Sequence, residues 1–367
     1  MKKQNLNSNM QYPKFKVTVH CSTFNHAKFI TDAMNGFTMQ QTDFPFVCTI
    51  IDDASTDGEQ DVIKQYVEEH FDLSEDGVAY KKETDYAHIV YAQNKTNKNC
   101  YFAVLFLKEN HYSQKKDRIS YLKEWRENVD YIAMCEGDDY WIDPLKLQKQ
   151  VEILDSHPEY GAVYTAFEPF DNETKEIKKF RFVPRSGNCY ETMLCDELDI
   201  WTLTTCIRKK FIMELPRIPD SMEAFQGDRH LFLYITSHSQ VYCLNEKTAR
   251  YRILKLSASH SNDRMQNMYI QYICANTHLY YLQNGPDVSR ATRRKALTYI
   301  STRRIKYAAA TNNIGILKET NFSFSLIKTP KQFAAFCCCH ILRCKPVFSL
   351  CHQLYLSLIH ISEPTRP

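Results

Sequence analysis

Nine glycines are few for 367 residues, and the chain has neither a G-x-G-x-x-G turn after its first strand nor a G-x-x-x-x-G-K-[ST] loop. A Rossmann dinucleotide turn and a P-loop both need such glycines, because backbone amides must come close to phosphate, so both are disfavoured. No apolar run reaches the roughly 18 residues of a membrane-spanning helix. An excess of one charge is missing too. Lys plus Arg number 46 and Asp plus Glu 43, leaving +3 with the basic residues spread along the chain, so no nucleic-acid partner is expected. The first ten residues are polar and no apolar stretch follows Lys2 and Lys3, which leaves no secretory signal and points to a cytoplasmic protein. The fourteen cysteines are therefore expected as free thiols, with Cys21, Cys48 and Cys135 acting as small buried hydrophobes inside apolar runs. Cys337, Cys338, Cys339 and Cys344 lack paired C-x-x-C spacing, and no zinc site is expected there.

Hydrophobic residues at 44% and charged residues at 24% suit a folded globular chain long enough for a substantial core. Its first half alternates short β-branched runs with helical periods: strands over 16–21, 46–51, 87–91 and 131–135, helices over 27–39, 59–71 and 144–154, and a helical stretch over 101–109. Pro144 after Asp143 is the expected opening of the last of these helices. Strands separated by helices predict an α/β fold with a mostly parallel sheet, whose ligand crevice lies at the carboxyl ends of the strands. Later come a strand over 162–166, a charged hairpin over 168–182, a strand over 199–207, a helix over 228–237 and a strand over 241–244. Helices follow from 264 on. The expected organisation is a disordered 1–14, an α/β domain over 15–262 and a helical region over 263–355. Residues 356–366 read LSLIHISEPTR, which looks like a translated sequencing-library adapter, so 356–367 are set aside as non-native.

Chemistry gathers at the predicted strand ends. Strand one ends in Ser22-Thr23-Phe24-Asn25 and strand two in Asp52-Asp53-Ala54-Ser55-Thr56-Asp57, two polar ends in neighbouring units that suit a nucleoside pocket. Helix capping by Ser55 and Asp57 is the alternative. The fourth strand runs directly into Glu136-Gly137-Asp138-Asp139, three carboxylates within four residues. Adjacent like charges oppose one another's ionisation, and a divalent cation relieves them; oxygen-only ligands favour magnesium or manganese, which also bridge a diphosphate. A solvated acidic turn is the alternative.

The order STFN, IDDASTD, then EGDDYW followed by DPLKLQKQV resembles the family 2 glycosyltransferases of GT-A fold, over roughly residues 15–260. The resemblance implies a nucleoside-diphosphate-sugar site in which Thr23, Asn25, Asp53 and Ser55 face base and ribose, while Asp138 and Asp139 hold sugar-nucleotide and Mn2+ or Mg2+. Glu136 stands where many relatives have aspartate. Gln226-Gly227-Asp228-Arg229 looks like the family's later element, with Asp228 the base that deprotonates the acceptor hydroxyl; single displacement by one base implies inversion. The stretch Tyr251 to Ser261 resembles the closing segment, in which His260 would complete the metal site and Arg252 would face the diphosphate. Trp141 and Trp201 offer flat faces for an acceptor sugar, with core packing as the alternative.

The expected function is therefore a metal-dependent inverting transferase, acting on a nucleoside-diphosphate sugar, most plausibly UDP-linked, and on a saccharide or lipid-linked saccharide in bacterial surface-polysaccharide synthesis. A sugar nucleotidyltransferase would need a glycine-rich basic loop after strand one, and Ser22 to Lys28 holds no glycine. A non-catalytic saccharide-binding protein would not need the metal cluster together with Asp228. The basic, aromatic stretch 327–355 suits either a packed helix or a peripheral contact with the inner face of the membrane.

Overall fold

The computed structural model describes residues 13–217, 227–254, 263–317, 327–349 and 352–353. Residues 1–12 of the expected disordered 1–14, His260 and the adapter-like 356–367 lie outside these residues. The chain divides into two compact units that interleave along the sequence, whereas the sequence suggested one boundary near Asn262. The first comprises Met1–Pro184, Ile200–Glu214 and Tyr242–Arg252; the second comprises Arg185–Asp199, Leu215–Val241 and Ile253–Pro367.

Twelve strands of the described residues form one mixed sheet. They are β1 (Val17–Thr23), β2 (Phe46–Asp52), β3 (Phe71–Asp72), β4 (Tyr80–Glu83), β5 (Ala87–Asn94), β6 (Cys100–Leu107), β7 (Tyr131–Met134), β8 (Tyr140–Trp141), β9 (Tyr160–Asp171), β10 (Glu176–Ile177), β11 (Cys206–Arg208) and β12 (Gln240–Ile253). Their order is β3-β5-β6-β2-β1-β7-β11-β9-β12-β8, with β4 beside β5 and β10 beside β9. The parallel heart is β6-β2-β1-β7, and the pairings of β5 with β6 and of β11 with β7 and β9 are antiparallel. Helices α1 (Ile30–Thr38), α2 (Glu59–His70), α3 (Lys123–Arg126), α4 (Lys146–Ser156) and α6 (Lys209–Met213) belong to this unit, and α5 (Tyr190–Leu194), α7 (Gly227–His238), α8 (Arg264–Asn284), α9 (Arg290–Thr311) and α10 (Pro330–Ile341) to the other.

The parallel strands are buried on both faces, as their continuous apolar runs require. Val17, Val19 and Cys21 of β1 face one core with Phe37, Leu147 and Trp141. Val47 and Ile51 of β2 join Ala103, Leu105 and Trp125 in the other. Cys21, Cys48 and Cys135 are buried free thiols, as expected.

Residues 101–107, within the stretch 101–109 expected to be helical, are in the strand β6. All eight residues of β6 are buried, and the strand is bonded to β2 on one side and β5 on the other. An uninterrupted apolar run carries no period that separates strand from helix, and its length and aromatic content match the buried strand it forms. The strand at Ala87 runs antiparallel to β6 because only a tight turn joins them, built on Asn94, whose Oδ1 accepts from the amides of Thr96 (3.0 Å) and Asn97 (2.9 Å). Residues 199–207 hold a 3-10 turn, Thr202–Thr204, and only the start of β11. The hairpin appears as β9 and β10. In the second unit, α8 and α9 begin on Asp263 and Ser289, whose side chains accept from the amides of Met265 and Thr292.

Lys146 is fully buried, with its Nζ 2.7 Å from Gln150 Oε1 and 4.4 Å above the Trp141 ring. Burial lowers its pKa from 10.5 to about 8. At this group the folded state therefore holds fewer protons than the unfolded chain between those values, and the contribution of Lys146 to stability rises with pH through that window. Urea unfolding at pH 7 and pH 10 should show the wild type gaining stability relative to Lys146→Met, because the buried thiols, whose pKa values burial raises, shift both proteins alike. Lys146→Met should be the more stable protein at pH 7. A difference between the two proteins that is the same at pH 7 and pH 10 would count against it.

Candidate functional site

The carboxyl ends of β1 and β2 are tied together by a residue that motif reading did not single out. Glu59, the first residue of α2, is fully buried. Its carboxylate accepts from the Thr23 hydroxyl, from the His26 amide (2.8 Å) and from the Ser55 hydroxyl (2.8 Å). Burial pushes its pKa up, and these three hydrogen bonds oppose the shift. An acidic residue opening a helix is a signal the sequence did contain. Around this hub, Asn25 and Ala54 take left-handed backbone, at φ 58° and 60°. The Asn25 amide donates to Ser55 Oγ (2.9 Å), and its side-chain oxygen accepts from the Thr56 amide (2.8 Å). Thr23, Asn25 and Ser55, read from sequence as nucleotide contacts, thus hold one loop against the other. Ala54 and Ser55 also border an open groove of about 530 Å³ with Gln60 and Phe106.

The paired aspartates of β2 diverge. Asp52 has one oxygen 2.6 Å from Gln60 Nε2, while its Oδ2 is buried with no hydrogen-bond partner among the described residues, and burial raises its pKa. Asp53 is also buried, but its carboxylate accepts from the amides of His111 (2.8 Å) and Tyr112 (2.9 Å) and from Arg118 Nη1 (3.3 Å). The polar insertion after β6 is thus anchored on Asp53.

At the end of β7 the chain passes close beneath β1. A Cβ on Gly137 would stand 2.1 Å from Thr23 Oγ1 and 2.6 Å from Thr23 Cβ, so only glycine fits inside the acidic motif. Beyond it, Asp139 is buried and Asp138 is partly open. Burial first, then the charges of Asp138 and Glu136, drive the Asp139 pKa well above the ordinary carboxylate range. Its Oδ1 accepts from the Arg252 amide (2.7 Å). The Arg252 guanidinium reaches the Asp138 carbonyl (2.8 Å), Asn172 Oδ1 (3.1 Å) and Asp32 Oδ2 (2.7 Å), and it lies over the rings of Phe29 and Tyr140. In this arrangement Arg252 fastens the acidic turn. Glu136 accepts from the Thr202 hydroxyl (3.0 Å), which turns it away from a shared ligand set.

Among the described residues no three His, Cys, Asp or Glu side chains converge on one point as a ready-made metal cage. The donors present still suit magnesium or manganese. Such ions are commonly held by one or two carboxylates, their remaining positions filled by water and phosphate oxygens, and a cation would relieve the repulsion by Asp138 and Glu136 that opposes the ionisation of Asp139.

Trp141 is a correction. It is buried in the core, with Nε1 2.9 Å from the Leu203 carbonyl and its ring edge-on to Phe37, so it offers no face to an acceptor. Trp201 is only partly buried and packs with Phe167 and Tyr251. Asp228, in the other unit, stands exposed in the first turn of α7, where its Oδ1 accepts from the Arg229 amide (3.0 Å). Arg229 in turn pairs with Asp196 and Asp199.

No family model matches the chain. Over 137 residues it is 34% identical to Uncharacterized protein Rv1520 of Mycobacterium tuberculosis and, equally, to Uncharacterized protein Mb1547 of Mycobacterium bovis. That stretch is 37% of this chain and 31% of each relative, so the chain spans about a third of the length of these curated relatives. Among solved structures it resembles residues 1–349 of S. aureus TarS in complex with UDP-GlcNAc, at TM-score 0.54 and 12% identity, covering 94% of this chain and 92% of that one. The same protein in complex with UDP gives 0.53 and 12%, covering 96% and 93%. The likeness shows the fold, the GT-A type of α/β sheet flanked by helices.

Gly137→Ala should lower stability by about 1–3 kcal/mol, the usual effect of forcing a methyl group into a packed contact. A thermal melt checks this, and an unchanged midpoint would mean that the strand ends part without resistance.

Proposed function

We propose that the protein is a family 2-like, metal-dependent glycosyltransferase that inverts configuration as it moves a sugar from a nucleoside diphosphate, UDP above all, to a hydroxyl of a saccharide or lipid-linked saccharide in bacterial surface-polysaccharide synthesis. The observation that carries this reading is the buried Asp139 beside Asp138, at the carboxyl edge of a sheet whose fold matches a protein crystallised with UDP-GlcNAc. Asp138 and Asp139 would hold Mn2+ or Mg2+. The ion's chemistry would be to neutralise the charge that builds on the diphosphate as it leaves.

The chain's own residues supply the remaining work. Arg252 fixes the acidic turn through the Asp139 carboxylate and the Asp138 carbonyl, so the Asp139 carboxylate and the Asp138 backbone are held in place before any ligand arrives. Asp228 is the general base. Exposed at the start of α7, it is open to an incoming hydroxyl, and a carboxylate takes up the proton as the new carbon–oxygen bond forms. One base and one displacement give the inverted product. Trp201, with a partly open ring, is the remaining aromatic candidate for the acceptor side.

The test is transfer from a panel of UDP- and GDP-linked sugars onto saccharide acceptors with manganese present, read by release of the nucleoside diphosphate. Asp228→Asn should lose about 10²- to 10⁴-fold in kcat while it still binds UDP, the range for removal of a positioned base. Full activity in that variant would remove Asp228 from the chemistry.

A further inference from the structure

Asp53 stands where the resemblance places a carboxylate facing the base, yet it is 1% exposed and already receives three donors. All three come from the loop after β6. That loop is a closed structure in its own right. The Ser113 amide donates to Asn110 Oδ1 (2.7 Å), the Lys116 amide to the His111 carbonyl (2.9 Å), and Gln114 and Lys116 both reach the Glu109 carboxylate. Such bonding leaves the loop little freedom to swing, and Asp53 clamps it to the carboxyl edge of the sheet. What the clamped loop presents is Tyr112, 71% exposed, with the Arg118 guanidinium 5.2 Å from its ring centre. Arg118 thus joins the two features: it is a ligand of Asp53 and a support for the ring.

We propose that the nucleobase of the donor stacks on the Tyr112 ring, and that Asp53 is a positioning residue that holds the ring there rather than a group that touches the base. This rests on the nucleoside-diphosphate reading above. The physical case is one of preorganisation. A flat ring already fixed by a cation on one side and by its own backbone amide on Asp53 loses little freedom when a planar base arrives. Stacking of this kind accepts any base, so choice among bases would come from elsewhere in the crevice.

Calorimetric titration of the full chain with UDP, manganese present, decides the matter, with inorganic pyrophosphate as the probe that lacks a base. Tyr112→Ala should bind UDP about tenfold more weakly or worse, the usual loss of an aromatic platform, and bind pyrophosphate as the wild type does. Tyr112→Trp should bind UDP as the wild type does and add a fluorescence that UDP quenches and pyrophosphate does not. Asp53→Asn should reduce UDP affinity and leave pyrophosphate affinity in place. Tyr112→Ala binding UDP within twofold of wild type would overturn the proposal. So would tighter UDP binding by Arg118→Ala, the behaviour of a loop that plugs the crevice. A wild type that binds neither UDP nor GDP would instead bring down the donor reading itself, and this inference with it.

Discussion

Four carboxylates, those of Asp52, Asp53, Glu59 and Asp139, are buried at the carboxyl edge of the parallel strands in one mixed sheet. Charge removed from water is costly unless hydrogen bonds or counter-charges replace the lost solvation, and the neighbourhoods of Glu59 and Asp53 are built to do so. Glu59 takes two hydroxyls and an amide, and in doing so ties β1 to β2. Asp53 takes two amides and an arginine, and orders the loop after β6. Asp139 stands apart, since its bond to the Arg252 amide is set against the charges of Asp138 and Glu136 close by.

This difference sorts the acidic residues by role. A carboxylate surrounded by donors is a strut, and a ligand that needed it would first have to displace those donors. A desolvated carboxylate facing other carboxylates is poised for a cation, because the cation removes a repulsion that the fold leaves standing. Gly137 sits at the junction of the two regimes: its missing side chain lets the acidic turn lie against Thr23, and so against the Glu59 hub.

Much of this was legible in the sequence, and the exceptions have a common physical cause. An apolar strand breaking into Glu136-Gly137-Asp138-Asp139 is a local pattern, and the structure places it at the carboxyl end of β7 as read. The polar ends of β1 and β2 were legible as positions but not as partners. Thr23 meets Glu59 36 residues on, and Asp53 meets Arg118 65 residues on, separations across which no motif speaks. The misreading of β6 came from a run so apolar that its period vanished. For Trp141 the sequence leaves a sugar platform and core packing both open, because an aromatic one position into a strand is as easily turned inward, and here it closes the core against Phe37.

The central claim is that the Asp138–Asp139 turn is a cation-dependent donor site. The most direct measurement is calorimetric titration of UDP with and without manganese, on the wild type and on Asp139→Ala. The account predicts binding only when the metal and Asp139 are both present, with an unchanged fold by circular dichroism. Binding of equal strength without manganese, or in Asp139→Ala with manganese, would contradict it.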